Sequence, residues 1–329
     1  MAAVSPELDL LVLCELNPDV LVVDANLDIR LGQVERLVAD AEITLGSSGA
    51  ITAAAAAAQG LRVGVCAVVG ADLAGEVATR RLAELGVDVG AVRVESGRRT
   101  GLTVVLSRPD GDRSLLTFPG SMADLTVAQL PTVAARHVHV SSIFLQTGLH
   151  PGLAAWLTEA RAQGATTSLD PGWDPAEAWT GALSFLPAID FLLSNAAETL
   201  HLAAALTGAP VLELALAART LADCGPIVVA KAGADGGLAT DGTSFWRCAA
   251  APAELVDTTG AGDNFDAGFL AGLLSGADLP ACLARAVATG SWSLAGRGGT
   301  GRLASASQAL EAAARLTCTP IRRPAEELA

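Results

Sequence analysis

The chain has 329 residues, of which 51% are hydrophobic and 17% are charged, a composition typical of a folded globular protein. Its formal net charge of -14 and aromatic content of 4% disfavour nucleic-acid binding, because phosphates are repelled and few rings can stack on bases. The first residues lack a basic segment, and no apolar run approaches the roughly 18 residues of a membrane span. We expect a cytoplasmic protein that binds neither nucleic acid nor membrane.

Predicted strands and helices alternate along most of the chain. Strands are predicted at 10–14, 20–24, 62–69, 103–107, 137–141, 166–170, 191–194 and 227–230, and helices at 51–59, 73–85, 151–163, 211–223 and 264–274. This order predicts an α/β fold, a doubly wound and mostly parallel sheet with helices on both faces. In such a sheet, ligands bind beyond the carboxyl ends of the strands.

Two segments, 19–42 and 97–118, interrupt the alternation because they contain strand patterns without helices. The second includes a tight-turn signal at 109–111. The two segments form either a small β-sheet that serves as a lid or an antiparallel edge of the main sheet. We expect a single domain over 1–329 with insertions at 19–42 and 97–118. The last residues, 305–329, read as a helix and a charged end that frays after Thr319.

Cysteine and histidine residues give no sign of a metal site. The six cysteines show no C-x-x-C spacing, so reduced thiols are expected. His137 and His139 alternate on one predicted strand without a third ligand at a suitable spacing, which favours a structural role.

The most informative stretch lies at 256–269. The small residues Gly260, Ala261 and Gly262 run directly into an apolar-periodic helix, and free N–H groups at such a helix start can hold a phosphoryl group. Asp263 follows in the first turn. It is either a general base for an attacking hydroxyl or only a helix cap.

The longer string at 257–265, Asp-Thr-Thr-Gly-Ala-Gly-Asp-Asn-Phe, resembles the C-terminal signature of the ribokinase-like carbohydrate kinases, the PfkB family. The resemblance implies ATP-dependent phosphorylation of a hydroxyl on a sugar or sugar-like molecule. It makes Asp263 the catalytic base and the three small residues before it the anion hole. It also implies a monovalent cation such as K+ beside Asp257 and Thr259.

Other segments follow in the order of the same family. Asn195 and Glu198 resemble its Asn-x-x-Glu motif, which implies that Asn195 lies near the phosphates of ATP and that Glu198 binds Mg2+ through water. Lys231, Gly233 and Gly236 lie in a segment similar to the turn that borders ATP. Lys231 is either a nucleotide neighbour or a solvated turn residue.

The N-terminal part resembles the sugar-binding motifs of the family. Asn17 and Asp19 stand where sugar hydroxyls are bound, and Gly46, Ser47 and Ser48 match its Gly-Gly turn before a helix. Two positions depart from the pattern, because Ser47 replaces the second Gly and Ile51 replaces an Asn. Ser47 and Ser48 are candidate substitute donors.

Two other functions remain open at this point: a non-catalytic ligand-binding protein that retains the kinase fold, and a nucleoside kinase of the same family. The lid segments also carry apolar candidates for one sheet face, Val20, Val22, Leu102 and Val104. Because a small sheet cannot bury such a face alone, either the substrate and the main domain cover it on closure or a second copy of the chain does. In the family that the chain resembles, a small β insert covers the sugar and several members pair these lids, so the resemblance implies a homodimer through the lid.

Overall fold

The computed structural model describes residues 8–27, 31–108, 113–132 and 134–324. Within these ranges the chain order is β1 (Leu8–Leu13), β2 (Pro18–Val23), β3 (Asp40–Leu45), α1 (Ser48–Ala58), β4 (Val63–Gly70), α2 (Leu73–Glu84), β5 (Asp88–Glu95), β6 (Leu102–Ser107), β7 (Arg113–Phe118), β8 (Ala135–Ser141), α3 (Leu153–Ala162), β9 (Thr166–Asp170), α4 (Thr180–Leu183), β10 (Phe191–Asn195), α5 (Ala196–Thr207), α6 (Leu214–Ala222), β11 (Ile227–Lys231), β12 (Gly237–Thr240), β13 (Phe245–Cys248), α7 (Ala261–Leu274), α8 (Leu279–Ser293), α9 (Ala306–Ala313) and β14 (Cys318–Pro320).

The main sheet has ten strands in the order β14-β13-β12-β11-β10-β9-β8-β1-β4-β5. From β11 to β5 every neighbouring pair is parallel, whereas β12, β13 and β14 extend one edge in antiparallel fashion. The predicted mostly parallel α/β fold is therefore confirmed. The sequence pattern misses β5, β12, β13, β14 and α8, in part because strands of three or four residues are too short to show a period.

Alternating side chains of the parallel strands feed two separate cores, one on each face of the sheet. In β1, Leu11 and Leu13 pack into a core with α3, α5 and α6, while Leu10 and Val12 pack into a core with α1, α7 and α8. Strands buried on both faces read as continuous apolar runs, as expected for a sheet covered by helices on each side.

A second, smaller sheet stands apart from the main one. Its order is β3-β2-β6-β7, with β2 and β6 parallel and the outer pairs antiparallel. The separate small sheet is thus confirmed, and the alternative of an antiparallel edge is wrong. Its strands extend the predicted segments slightly, since β2 begins at Pro18 and β3 ends at Leu45. The predicted turn at 109–111 lies outside the described residues.

The C-terminal segment is better anchored than the sequence suggests. Strand β14 pairs with β13, the Ile321 N–H donates to the Phe245 carbonyl at 2.9 Å, and Arg219 Nη1 donates to the Pro324 carbonyl at 2.8 Å. The prediction that the chain frays after Thr319 is therefore wrong up to residue 324, because these bonds fix it to the sheet edge. In the described part of the chain, no helix is long and apolar enough to cross a membrane.

Candidate active site

Polar residues gather at the carboxyl edge of the parallel strands, and only some of them are singled out by the sequence. Asp170, Asn195 and Lys231 are the last residues of β9, β10 and β11, and Glu15 follows β1. The N-termini of α1 and α7 reach the same edge, since Ser48 of α1 bonds to Asp263 of α7. Ligand sites of open α/β sheets lie at this edge.

The loop before α7 leaves backbone donors free. Gly260 has a φ of 72°, and a Cβ there would lie 2.3 Å from the Gly299 Cα, so this position requires glycine. The first backbone bond of the helix runs from the Asn264 N–H to the Gly260 carbonyl. Among the described residues, the N–H groups of Gly262 and Asp263 have no backbone acceptor, and they can serve an anion at the positive end of the helix.

Asp263 lies beside these donors and is held from α1. Ser48 Oγ donates to Asp263 Oδ1 at 2.6 Å, and Thr52 Oγ1 donates to the Asp263 carbonyl at 3.2 Å. Burial raises the pKa of Asp263 to about 6, while the charge of Lys231 and the Ser48 hydroxyl act in the opposite direction. The group is therefore mostly a carboxylate at neutral pH and can accept a proton.

Ile51 lies behind the loop rather than in an open pocket. A Cβ on Gly299 would fall 2.3 Å from Ile51 Cδ1, and one on Gly260 would fall 3.2 Å from Ile51 Cγ2. Asn264 Nδ2 donates to the carbonyls of Gly260 and Gly299, both at 2.9 Å. The aliphatic residue at position 51 and the buried amide of Asn264 thus fix the loop against its neighbour.

Asn17, Asp19 and Gly46 form one cluster under the small sheet. Asn17 Nδ2 donates to Asp19 Oδ1 at 3.2 Å, and a Cβ on Gly46 would lie 2.0 Å from that oxygen. Glycine is therefore required at position 46 by close approach. Burial, together with the charge of Asp263, raises the pKa of Asp19 to about 7.

Ser47 and Glu15 tie the start of α1 to the end of β1. Ser47 adopts a φ of 68°, donates its hydroxyl to the Glu15 carbonyl and accepts from the Ala50 N–H at 3.2 Å as the helix cap. Its hydroxyl is thus engaged in fixing the start of α1, whereas the Ser48 hydroxyl donates to Asp263. The Glu15 side chain is 4% exposed, accepts from the Ser48 N–H at 3.3 Å, and has its pKa raised to about 8 by burial.

Lys231 sits in a buried ion-pair cluster. Its Nζ lies 2.7 Å from Asp170 Oδ2 and 2.7 Å from Asp266 Oδ2, and its side chain is only 11% exposed. Burial alone would lower the pKa of Lys231, but the two carboxylates raise it, so the ammonium is retained. The solvated-turn interpretation of Lys231 is therefore wrong. Its Cδ would be 3.4 Å from a Cβ on Gly262, which places its stem directly beneath the anion loop.

Asn195 and Glu198 cap the start of α5 reciprocally. The Glu198 N–H donates to Asn195 Oδ1 and the Asn195 N–H donates to Glu198 Oε2, both at 2.9 Å. Burial and then the charge of Asp170 raise the pKa of Glu198 to about 7. The oxygen-rich surroundings suit Mg2+, although within the described ranges no three His, Cys, Asp or Glu side chains form a complete metal cage.

Asp257 organises the loop that leads to Gly260. Its Oδ1 accepts from the Thr259 N–H at 2.9 Å and from Thr259 Oγ1 at 2.8 Å, and its Oδ2 accepts from the Gly298 N–H at 2.8 Å. Both carboxylate oxygens therefore hold the loops together.

Gly233 and Gly236 bound the turn between β11 and β12. Gly236 has a φ of 87°, and a Cβ there would lie 2.0 Å from the Cys248 carbonyl oxygen. The Ala232 N–H closes the turn by donating to the Gly236 carbonyl at 2.8 Å. The turn thus stands at the carboxyl edge next to Lys231.

Arg113 reaches the site from the small sheet. Strand register puts Asp19, Thr103 and Thr117 in one cross-strand row, and Arg113, four residues from Thr117, points to the same face. Arg113 Nη1 lies 3.4 Å from Thr259 Oγ1, and its charge lowers the pKa of Asp19 and Asp263. The smaller sheet therefore contributes a cation to an otherwise acidic site.

Sequence reasoning missed four of these residues. Glu15, Asp170 and Asp266 are charged groups at otherwise apolar positions of a strand end or helix face, a signal that was present in the sequence. Arg113 gave no such signal, because its position depends on how the small sheet packs.

The two histidines of β8 are structural, as expected. His137 bonds to Thr166 Oγ1 and Ser168 Oγ, both at 2.7 Å, and His139 bonds to Ser168 Oγ at 2.8 Å. Burial lowers the pKa of His137 to about 3 and that of His139 to about 4, so both rings are neutral.

Known proteins resemble this chain in sequence and in fold. The sequence profile of the pfkB family carbohydrate kinases matches residues 12–305. Fructoselysine 6-kinase of Escherichia coli is 28% identical over 232 residues, 70% of this chain and 81% of that kinase. ATP-dependent ribose-1-phosphate kinase of Halopiger xanaduensis is 32% identical over 285 residues, 83% of this chain and 90% of its own. A solved Escherichia coli chain described as ribokinase II, in complex with ATP and Mg2+, gives a TM-score of 0.77 at 21% identity and covers 93% of this chain and 99% of its own.

The fold is that of the ribokinase-like kinases. The chain belongs to the pfkB family of carbohydrate kinases, so the predicted family is confirmed. The enzyme prediction is likewise confirmed, which removes the non-catalytic alternative.

Proposed function

We propose that this kinase transfers a phosphoryl group from ATP to a hydroxyl of a sugar or sugar-like molecule, with Asp263 as general base. The observation that carries the proposal is the pairing of a carboxylate with free backbone donors. Asp263 lies in the same first helical turn as the unpaired N–H groups of Gly262 and Asp263. A base and an anion hole in contact are what phosphoryl transfer to a hydroxyl requires.

In this mechanism Asp263 accepts the proton of the acceptor hydroxyl, whose oxygen bonds to the terminal phosphorus of ATP while the bond from that phosphorus to the leaving ADP breaks. Gly260, Ala261 and Gly262 form the anion hole, in which the free N–H groups of Gly262 and Asp263 stabilise the charge that develops on the transferred group, while the Ala261 N–H donates to the Thr258 carbonyl at 3.3 Å. Arg113 adds a positive charge from the small sheet, beside Thr259. Lys231 supports the loop from below while remaining paired with Asp170 and Asp266.

Substrate binding is assigned to Asn17, Asp19, Gly46, Ser47 and Ser48. Asp19 accepts from sugar hydroxyls, and Gly46 leaves room for that carboxylate. Ser47 acts indirectly, because its hydroxyl caps α1. By their names, relatives of this chain act on fructoselysine, ribose 1-phosphate and nucleosides, so the acceptor is a sugar derivative of this range.

ATP and Mg2+ are the proposed co-substrate and metal. Glu198 would hold the ion through water, and Asn195, Lys231, Gly233 and Gly236 would border the nucleotide. Bound Mg2+ neutralises charge on the phosphates during transfer. The acidic surroundings of Glu198 fit this role, because Mg2+ binds through few carboxylates and keeps several waters.

A monovalent cation such as K+ is proposed beside Asp257 and Thr259. The carboxylate oxygens of Asp257 already accept hydrogen bonds from the loop. A cation bound beside them would therefore stabilise the conformation of the loop before Gly260. We also propose a cytoplasmic location, where ATP is supplied.

We propose that residues 1–329 form one kinase domain in which the insertions 19–42 and 97–118 act as a lid. The lid face away from the site carries the cross-strand row Ile43, Val20, Val104 and Leu116, in which Ile43 is 67% exposed and Leu116 is 52% exposed. A homodimer through this face would bury it. Light scattering at micromolar concentration should give twice the mass of the chain, and a monomer would reject the dimer.

The function is tested by an ATP-consumption screen over sugars, sugar phosphates, keto-deoxy sugar acids and nucleosides. With the accepted substrate, Asp263→Asn should lower kcat by about 10³-fold while substrate binding persists, because a general base contributes about 10² to 10⁴ in rate. Arg113→Ala should lower kcat by about 10²-fold, in line with loss of one charge-stabilising donor.

Two matched variants serve as controls. Asp278→Asn changes the N-cap of α8 outside the site, and Arg315→Ala removes an exposed arginine that pairs with Glu311 at 2.5 Å. Both should keep near-normal kcat. Wild-type turnover by Asp263→Asn would reject the assigned base.

A further inference from the structure

Cys248 and Cys318 face each other across the last strand pair of the main sheet. The antiparallel register of β13 and β14 pairs Trp246 with Pro320, Arg247 with Thr319, and Cys248 with Cys318. Both thiols are free, Cys248 is buried, and Cys318 is partly exposed. Cys248 also pairs with Gly237 of β12, and its carbonyl packs against Gly236.

The hydrogen-bond pattern shows which type of pair the cysteines form. The Ile321 N–H donates to the Phe245 carbonyl, so that opposed pair is hydrogen-bonded, and the pairs alternate along an antiparallel ladder. Counting inward, Trp246 and Pro320 form a non-hydrogen-bonded pair, which agrees with the missing N–H of proline. Cys248 and Cys318 therefore also form a non-hydrogen-bonded pair.

Non-hydrogen-bonded pairs bring side chains closest together. Their Cα atoms are about 4.5 Å apart in antiparallel sheets, and disulfides span Cα separations of about 4.4 to 6.8 Å. A disulfide can therefore join the two strands without a change in the distance between their backbones.

We propose that Cys248 and Cys318 are a reversible oxidation site, converted by a hydroperoxide into an intrachain disulfide. The reduced thiols expected from the sequence are the resting form, and the direct pairing of Cys248 with Cys318 allows a disulfide to form on oxidation. Cys318 supplies access from the sheet edge, where its Sγ lies 3.1 Å from the Pro280 carbonyl.

The chemistry balances with hydrogen peroxide as oxidant. The thiol of Cys318, the partly exposed partner, releases its proton and its sulfur attacks one peroxide oxygen; the O–O bond breaks, a sulfenic acid forms on Cys318, and the departing hydroxide takes up the released proton as the first water. The Cys248 sulfur then attacks the Cys318 sulfur, the S–O bond breaks, the S–S bond forms, and the departing hydroxide leaves with the Cys248 proton as the second water. In total, two thiols and one peroxide give one disulfide and two waters.

The disulfide would tie β14 to β13 and close a covalent loop over residues 248–318. That loop contains α7, α8 and the anion loop before Asp263. A crosslink across a long native loop stabilises the fold chiefly by restricting the unfolded chain. Oxidation should therefore raise the thermal midpoint by several degrees, and a thiol reductant should reverse the rise.

The test uses the full chain treated with hydrogen peroxide, digested without reduction and analysed by mass spectrometry. The expected product is a linked peptide pair containing Cys248 and Cys318, which is lost on reduction. Cys318→Ser should abolish both the link and the rise in midpoint. Cys224→Ser, which removes another partly exposed cysteine, should change neither.

Three results would overturn the proposal: Cys318 oxidised singly to sulfinic acid, a link between two chains instead of within one, or a linked pair whose thermal midpoint falls. Cys318→Ala provides a second variant if the serine is poorly tolerated at this edge. None of these readouts depends on kinase activity, so the outcome is separable from the proposed function.

Discussion

Asp263 gains its reactivity from a balance between burial and two partners. Burial raises its pKa, whereas Lys231 and Ser48 favour the charged form, and the result is a pKa of about 6. A base with this pKa is deprotonated at neutral pH and still basic enough to take a proton. Activity should therefore rise with pH through about 6, as Asp263 loses its proton.

Removing the Ser48 hydroxyl should shift this balance. Ser48→Ala deletes the 2.6 Å hydrogen bond to Asp263 Oδ1, so the pKa of Asp263 should rise. The acid limb of the pH profile of kcat should then move to higher pH by about half a pH unit to one pH unit. The pH dependence of kcat measures the shift. Ser275→Ala, at the far end of α7, should leave the limb unchanged. An unmoved limb in Ser48→Ala would show that the hydroxyl does not influence the base.

At the scale of elements, α7 and the loop before it depend on one close backbone approach. Gly260→Ala would add a Cβ 2.3 Å from the Gly299 Cα at a residue with a φ of 72°, so both steric overlap and backbone strain are expected. Gly276→Ala is the matched control, since its φ is 80° but no atom lies within 4 Å of its Cβ.

The control, Gly276→Ala, should lower the free energy of unfolding by about 1 kcal/mol through backbone strain alone. Gly260→Ala should lose more and should also lower kcat, because the N–H groups of the anion loop move. Thermal midpoints and kcat of the two variants give the comparison. Equal losses of stability with unchanged kcat in Gly260→Ala would contradict the proposed role of the loop.

The sequence predicts those elements whose pattern lies within one continuous stretch of the chain. The parallel strands are continuous apolar runs, and the anion loop at 257–265 has a distinctive order of small and acidic residues, so both could be read directly. The edge strands β12 to β14 could not, because three or four residues carry no reliable period. The Lys231 cluster depends on strand order, since Asp170, Lys231 and Asp266 come from three elements far apart in the chain.

For the whole molecule, the buried carboxyl groups predict how stability depends on pH. Burial raises the pKa of Glu15 to about 8, of Asp19 and Glu198 to about 7, and of Asp263 to about 6. All four values exceed the ordinary values of 3.8 for Asp and 4.5 for Glu. At pH values between the ordinary and the raised pKa of each group, the folded chain therefore binds more protons than the unfolded chain.

The sign follows from proton linkage. Where the folded state binds more protons, the free energy of unfolding falls as pH rises, by about 1.4 kcal/mol per proton and pH unit. The neutral histidines His137 and His139 act in the opposite sense, but their contribution is nearly complete above the ordinary histidine pKa of 6.5. The ligand-free protein should thus lose stability from pH 6.5 to 8.

Thermal midpoints measured between pH 6.5 and 8 without nucleotide or metal test this expectation. Glu15→Gln is the informative variant, because it replaces a protonated, buried carboxyl with a neutral group of nearly the same shape. In this variant the thermal midpoint should fall less steeply toward pH 8, because Glu15, with its pKa of about 8, loses its proton there in the wild-type chain. Glu159→Gln, on the exposed face of α3, should reproduce the wild-type curve. A midpoint that stays constant or rises over this range would mean that the acidic groups of the site are not held protonated by burial.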